Sequence, residues 1–140
     1  MLTIGKTYKR KEIAAELGGS TIDFLPMVNG KVVCACLREE LNPSAPKIIL
    51  AGFGPQREKS AAILSKQFGE IPVFIRWENE NEWEYVGDFG TEKSLTNSKE
   101  IKELDNRKNP KGGISRVIYL KEISKSKSLR LCASAVEKIR

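Results

Sequence analysis

Three large aromatic side chains lie close together in the segment FIRWENENEWEYVGDF, residues 74–89: Trp77, Trp83 and Tyr85. If this segment forms two strands joined by a loop at 78–82, Trp77 lies opposite Trp83, and Ile75 lies opposite Tyr85. The three rings then share one side of the hairpin, because side chains alternate between the two faces of a strand. Either the rings fill a core and hold the strands together, or one or two of them line a cavity in which a flat heterocycle stacks.

A glycine-rich turn separates a short apolar strand from a helix. The strand is predicted at Lys47–Ala51, the turn GFGP follows it, and a helix begins near Gln56. Glycines let backbone N–H groups approach a ligand, and the N-terminus of a helix attracts anions. Phe53 lies in the turn and Arg57 and Lys59 follow it, so the segment is either a structural turn or a seat for a phosphate group. It matches neither the P-loop nor the dinucleotide fingerprint, since Gly-Lys-Ser/Thr and a third glycine are missing.

Two polar side chains are candidates for contacting the edge of a base. Asn42 begins the stiff segment NPSAP, in which two prolines restrict the backbone. Its amide either bonds its own backbone as an Asx-turn or offers a donor and an acceptor to a base. Asp88, near the end of the aromatic segment, is the second candidate.

The charge is strongly positive overall and unevenly distributed. The net charge is +6 and the isoelectric point is about 9.3, an excess that favours a polyanionic partner. Lys111 and Arg116 are candidates for phosphate contacts, and the tail at 124–140 is predicted to be a basic helix or extension. Residues 70–92 hold seven acids and one arginine, so a polyanion is expected to avoid that hairpin. Its glutamates at 78–84 either bind a hard cation or form a solvated tip.

The chain has no histidine and three cysteines, Cys34, Cys36 and Cys132. The lack of histidine removes the commonest general base and the commonest transition-metal ligand, so a histidine-dependent hydrolase and a zinc site are excluded. We therefore expect no enzyme activity and no cofactor. An odd cysteine count, no secretory leader and no membrane span indicate a cytoplasmic protein, with Cys34 and Cys36 as small buried side chains.

The predicted elements are arranged as hairpins rather than as a regular βαβ series. They indicate one α+β domain over residues 1–140, with a curved, mostly antiparallel sheet or small barrel and three or four flanking helices. The helices are predicted at Tyr8–Leu17 with Thr7 as cap, from about Gln56 to Phe68, near Lys99–Asn106 with Asn97 or Ser98 as cap, and over the C-terminal segment SLRLCASAVEKIR. The strands are predicted at Ile22–Met27, Lys31–Leu37, Lys47–Ala51, Ile71–Trp77, Trp83–Phe89 and Ile114–Ile123.

A series of motifs resembles a known family. GKTYKRKEIAAELGG, NGKVVCACLREELNPSAPKIILAGFGP, IPVFIRW, WEYVGDF and GGISRVIYLKEI resemble, in this order over residues 5–123, a bacterial domain found N-terminal to HNH nuclease domains. That architecture is typical of modification-dependent restriction endonucleases. The domain is similar to the PUA-like barrels (the SRA, EVE, YTH and ASCH domains), which hold an extruded or modified base in an aromatic pocket. The resemblance implies that NPSAP, GFGP and the aromatic hairpin surround such a pocket.

Two functions remain open from the sequence. A third, an enzyme that acts on a nucleotide with Glu39, Glu40 or Asp88 as the acid, is disfavoured because histidine and a metal-ligand pattern are missing. The first is a non-enzymatic reader of DNA, or of RNA, which stacks a modified or flipped base on aromatic rings. Phe53, Trp77, Trp83 or Tyr85 would supply the ring, Asn42 or Asp88 the polar contact, and any nuclease would belong to another domain or chain. The second is a protein-interaction module, such as a phage or host defence factor, without base readout.

Overall fold

A computed structural model describes residues 2–108, 110 and 112–122 of the chain. The helices within these residues are α1 (Arg10–Leu17), α2 (Pro55–Lys66) and α3 (Ser98–Leu104). The strands are β1 (Thr7–Tyr8), β2 (Met27–Val28), β3 (Lys31–Val32), β4 (Ala35–Arg38), β5 (Ile48–Gly52), β6 (Glu70–Arg76), β7 (Trp83–Leu95) and β8 (Ile114–Glu122). The helix predicted near the C-terminus lies outside the described residues.

The main sheet is mixed, and its strand order is β4-β6-β7-β8-β5, with β1 paired to β7. All of its pairings are antiparallel except the parallel pair of β4 and β6. β2 and β3 form a separate hairpin. The α+β class is confirmed, whereas the described strands do not close into a barrel, because β4 and β5 stay unpaired with each other at the two edges.

The two edge strands nevertheless approach one another. Asn42 follows the end of β4, and its backbone N–H donates to the carbonyl of Arg38 over 2.9 Å. The side-chain oxygen of the same asparagine accepts a hydrogen bond of 2.8 Å from the N–H of Leu50 in β5. Since one residue is bonded to both edges, the sheet must curve until the edges face each other across a gap.

Each face of the sheet is covered by a different helix. Leu37 and Val73 pack on one face against Ala61 and Leu64 of α2. Ile13 of α1 belongs to a second cluster on the other face, with the aromatic side chains Tyr8, Phe74, Trp83 and Tyr85. The alternation of side chains along β4 and β6 thus separates these two clusters, and α3 packs against β5 and β8 in a third.

The N-terminal helix begins later than predicted, and Thr7 does not cap it. Thr7 and Tyr8 form β1 opposite Glu84 and Trp83. The ring of Tyr8 packs edge-on against Phe74, with the ring centroids 6.0 Å apart, which holds this residue in the sheet rather than in the helix. The helix begins after Lys9, whose backbone N–H donates to the Glu12 carboxylate over 2.8 Å.

The first hairpin has the predicted turn but shorter strands. Asn29 and Gly30 have φ angles of 52° and 78°, which suits a two-residue turn. The strand predicted from Ile22 is wrong, since β2 begins only at Met27 and Ile22 is 85% exposed. The helix also ends before the predicted residue, because α2 ends at Lys66 and Phe68 beyond it is 98% exposed.

The second hairpin follows the predicted register only at its base. Ile71 pairs with Phe89 and Val73 with Gly87, as the prediction requires. An irregularity between Val73 and Phe74 then shifts the pairing by one residue, so Phe74 lies opposite Tyr85. Gly87 has a φ of 123°, which other residues rarely adopt, and this glycine permits the bulge.

Candidate functional site

A cavity of about 910 Å³ opens at the gap between the two edges of the sheet. Its lining includes Cys36 and Arg38 of β4, Leu50 and Gly52 of β5, and the start of α2. The segment at 21–24, which precedes β2, and Gly112 to Ile114, at the start of β8, complete the wall. Segments that are distant in sequence therefore meet here because the sheet curves.

The cavity is lined by many guanidinium groups and few acids. Within the residues that the structure covers, Asp23 is the one carboxylate of the lining. Five arginines contribute to the same lining: Arg10, Arg38, Arg57, Arg76 and Arg107. A surface of this kind attracts anions, and the planar arginine fork suits phosphate and carboxylate groups.

Some of this charge is already paired. Arg107 donates through Nε and Nη2 to the two carboxylate oxygens of Asp105, each over 2.8 Å. The same guanidinium also donates to the carbonyl of Gly112. Arg38 makes a longer contact of 3.6 Å with Glu40, between side chains that are almost half exposed. Across residues 2–108, 110 and 112–122, no carboxylate forms an ion pair with the other three arginines that line the cavity. These three keep their charge available for a ligand.

Trp83 holds two of the available guanidinium groups. The guanidinium carbons of Arg10 and Arg76 lie 5.3 and 5.5 Å from the centre of the Trp83 ring, within cation–π range. Arg10 is fixed further by hydrogen bonds from its Nη2 to the carbonyls of Ser20 and Asp23, at 3.1 and 2.7 Å. The indole therefore positions arginine side chains, and only 8% of the residue is exposed to a stacking base.

Phe53 is the exposed aromatic ring at the mouth of the cavity, with 59% of its surface accessible. The turn that carries it depends on glycine at two places. Gly54 has a φ of 132°, and a side chain on Gly113 would place its Cβ 3.1 Å from Phe53 Cε2. Gly113 thus packs closely against the ring, and more than half of the Phe53 surface stays accessible.

The predicted phosphate seat at the start of α2 is partly occupied. The carboxylate of Glu58 accepts a hydrogen bond of 2.9 Å from the backbone N–H of Gly54. Arg57 lines the cavity as predicted, and its Nη1 donates to the carbonyl of Phe53 over 3.2 Å. Lys59 is exposed on the same helix but does not contribute to the cavity wall.

The three rings of the aromatic hairpin do not gather on one side, and this prediction is wrong. The one-residue shift in strand pairing next to Gly87 places Trp77 on one face of the hairpin and Trp83 and Tyr85 on the other. Trp77 is 36% exposed, and its indole Nε1 donates to the Glu84 carboxylate over 2.9 Å. Of the three rings, only that of Trp83 reaches the cavity.

Tyr85 and Asp88 are paired with each other away from the cavity. The phenol of Tyr85 donates to a carboxylate oxygen of Asp88. Burial, followed by this hydrogen bond, raises the pKa of Tyr85 well above its ordinary value. The pair stabilises β7, and neither member contributes to the cavity wall.

The remaining candidates have different outcomes. Asn42 is buried in the cavity wall, with its oxygen already engaged by Leu50 and its nitrogen 3.5 Å from the carbonyl of Arg38. Arg116 lies elsewhere and donates to the hydroxyls of Ser65 and Ser94. Lys111 is outside the described residues. The structure thus unites Asn42, Phe53, Arg57 and Trp83 out of the ten residues that the sequence suggested.

Sequence reasoning missed four of the five cavity arginines as site residues: Arg10, Arg38, Arg76 and Arg107. Arg38 and Arg76 are the last residues of β4 and β6, and Arg76 is the one arginine of the acidic segment at 70–92, which a polyanion was expected to avoid. The parallel pairing of these two strands was the missing information, because it brings both side chains to one place.

The two described thiols lie near Arg10. Cys34 and Cys36 are buried, as expected, and Cys36 lines the cavity floor. A hydrogen bond with Cys34 and the positive charge of Arg10 lower the pKa of Cys36, while the same hydrogen bond and burial raise that of Cys34. Within the described residues, no group of three or more potential ligands could hold a metal ion, so the glutamates of the hairpin tip form no such cluster.

Comparisons with known proteins leave the chain without an assigned family: no family model, no curated protein and no solved structure matches it. None of the helices that the structure describes is long and apolar enough to cross a membrane. The resemblance to domains that precede HNH nucleases stays a prediction, and the geometry of the cavity is the basis for a functional assignment.

Proposed function

We propose that the cavity binds nucleic acid, with an unpaired base stacked on Phe53 and the adjoining phosphates held by arginines. One observation carries this proposal: an arginine-lined cavity of about 910 Å³ has an exposed aromatic ring at its mouth. Sites for small molecules and nucleotides in proteins commonly enclose about 300–1,000 Å³, so the space is sufficient for a nucleotide.

The energetics favour a base that is already unpaired or easily extruded. Flipping a base from a duplex costs a few kcal/mol, whereas stacking on an aromatic ring returns about 1–3 kcal/mol. Contacts from Arg10, Arg57 and Arg76 to phosphates must supply the rest. Since these contacts release counterions, affinity falls steeply as salt is raised.

The finer features of the proposal concern what is read and in what context. Asn42 Nδ2 has only a long contact with the carbonyl of Arg38, so it remains able to donate to a base or to its modification. A reader of modified DNA that acts beside a nuclease on another domain or chain, in the cytoplasm, agrees with this chemistry. A relationship to the PUA-like barrels forms part of the same proposal, which assigns binding rather than catalysis to this chain.

The experiment measures binding of fluorescent single-stranded and duplex oligonucleotides that carry plain, methylated, hydroxymethylated or glucosylated bases. Phe53→Ala should weaken binding by about 5- to 150-fold, the equivalent of one lost stacking contact. Phe68→Ala is the matched control, because Phe68 is 98% exposed and lies outside the cavity wall. Equal affinity of both variants for every oligonucleotide would refute base stacking on Phe53.

The arginine contribution has its own control on the same helix. Arg57→Gln should weaken binding and reduce the dependence of log affinity on log salt by about 0.7 for a single strand. Lys59→Gln removes the same charge two residues away, outside the cavity wall, and should change both quantities much less. Similar losses in the two variants would indicate attraction by net charge instead of a defined site.

A second function is favoured by the apolar rim of the cavity. Ile22 and Leu41 line the cavity, as Phe53 does, and are 85% and 47% exposed. Exposed apolar side chains together with arginines also suit an acidic segment of a partner protein. A fluorescent acidic peptide with aromatic residues tests this alternative. Tighter binding of the peptide than of any oligonucleotide, at equal salt, would favour the protein-interaction module.

A further inference from the structure

Two arginines with like charge lie side by side at one end of the cavity. Arg38 and Arg76 are register partners at the ends of the parallel strands β4 and β6, and both line the cavity. Like charges directly opposite each other destabilise a sheet. The contact between Arg38 and Glu40 offsets this only slightly, since it spans 3.6 Å between half-exposed side chains. An anion placed between the two guanidinium groups would convert this repulsion into attraction.

Arg10 brings a third guanidinium to the same end. It contacts the ring of Trp83, as Arg76 does, and carbonyls of the segment before β2 hold its Nη2. Its Nε is buried without a hydrogen-bond partner, an unfavourable state for a charged donor in the described structure. We call the group of Arg10, Arg38 and Arg76 the arginine end of the cavity.

Carboxylates stand directly beyond the arginine end. Glu39 follows Arg38, and its carboxylate accepts a hydrogen bond of 2.8 Å from the backbone N–H of Glu78. Glu39 is partly buried, and it belongs to an acidic border together with the exposed residues Glu40, Glu78 and Glu80. A sugar–phosphate chain that continued past the arginine end would meet this border and be repelled.

We infer that the arginine end binds the terminal phosphate of a nucleotide, a monoester, rather than a phosphodiester within a strand. A monoester carries a charge of about −1.5 to −2 at neutral pH, against −1 for a diester, so it is the better partner for three guanidinium groups. The base next to this phosphate then extends toward Phe53. The inference rests on the proposed function and narrows it to strand ends or free nucleotides.

The test compares strands that differ only at their ends. One pair of short single-stranded DNAs carries a fluorophore at the 3′ end and either a 5′-phosphate or a 5′-hydroxyl. A second pair carries the fluorophore at the 5′ end and either a 3′-phosphate or a 3′-hydroxyl. A phosphate at one of the two ends should tighten binding by about tenfold or more, as expected for charge-assisted hydrogen bonds. Unlabelled deoxynucleoside monophosphate and deoxynucleoside are then added as competitors.

The variants assign the preference to the arginine end. Arg38→Gln and Arg76→Gln should abolish the preference for the phosphorylated strand, and Lys59→Gln should retain it. Arg38 is almost half exposed, so its variant keeps the test valid even if Arg76→Gln fails to fold. Glu39→Gln keeps an acceptor for the N–H of Glu78, and it should improve the binding of strands with hydroxyl ends.

The outcomes separate this inference from the proposed function. Equal affinity for phosphate and hydroxyl ends overturns the inference but leaves nucleic-acid binding intact. If the monophosphate competes with an affinity equal to that of the phosphorylated strand, the terminal-phosphate site is supported. In that case the site binds a free nucleotide and does not require a strand. If the folded protein binds neither strands nor monophosphate, both proposals fail.

Discussion

Replacement of Asn42 by alanine tests whether this side chain holds the two sheet edges together. Asn42 and Leu50 are 4% and 6% exposed, and the bond between the Asn42 side-chain oxygen and the Leu50 N–H is 2.8 Å long. The alanine variant leaves this N–H buried and unpaired, which costs about 1–3 kcal/mol of unfolding free energy. A domain of this size loses about 2–4 °C in Tm for each kcal/mol. Urea unfolding followed by circular dichroism measures the loss.

Two further variants make the result specific. Asn81→Ala removes an exposed asparagine from the tip of the second hairpin and should change stability by less than about 0.5 kcal/mol. Asn42→Asp keeps an oxygen acceptor, and in acid, where its buried carboxyl group is protonated and neutral, it should lose less stability than Asn42→Ala. If Asn42→Ala unfolds at the same urea concentration as the parent, the bond to Leu50 does not hold the edges, and our account of the cavity wall is wrong.

Three other predictions concern the hairpin, the loop after α3 and the tryptophans. Gly87→Ala should destabilise by about 1–3 kcal/mol in urea unfolding, because the φ of 123° is strained for alanine although the new Cβ meets only ordinary contacts. Hydrogen bonds from Arg107 hold the pKa of Asp105 below its ordinary value of 3.8. Their stabilisation is present above that value and is lost as the pH falls through the folded pKa, so Asp105→Asn should be less stable than the parent at pH 7, with the difference closing in acid. Acrylamide should quench Trp77 in a Trp83→Phe variant more strongly than Trp83 in a Trp77→Phe variant, since the exposed fractions are 36% and 8%; equal quenching would contradict the shifted register.

Several local signals in the sequence predicted local structure correctly, although the predicted cap at Thr7 was wrong. Asn97 caps α3, and its side chain accepts hydrogen bonds from the N–H groups of Lys99 and Glu100. The Asn29–Gly30 turn and the strand from Ile114 were also predicted correctly, because cap, turn and alternation depend on neighbours in the chain. The sequence could not show that a bulge at Gly87 would place Trp77 and Trp83 on opposite faces of the hairpin.

The candidate site was harder to predict because it depends on contacts between distant segments. Arg38 and Arg76 are brought together by a parallel strand pair, for which the hairpin-like sequence offers no signal. Arg10 joins them only because β1 directs the start of α1 toward Trp83. Phe53 and Arg57 were found because they belong to a local strand–turn–helix motif, whereas the other arginines have no comparable local motif.

The parallel pairing of β4 with β6 also affects the order in which the molecule assembles. β6, β7 and β8 pair as an antiparallel series, whereas β4 and β6 are separated in the chain by β5 and α2. Closing that long loop carries an entropic cost before any contact is gained, so β4 is expected to dock after the central strands. The wall that β4 contributes then forms after the central strands and detaches before them, and an occupant of the cavity would hold this segment in place.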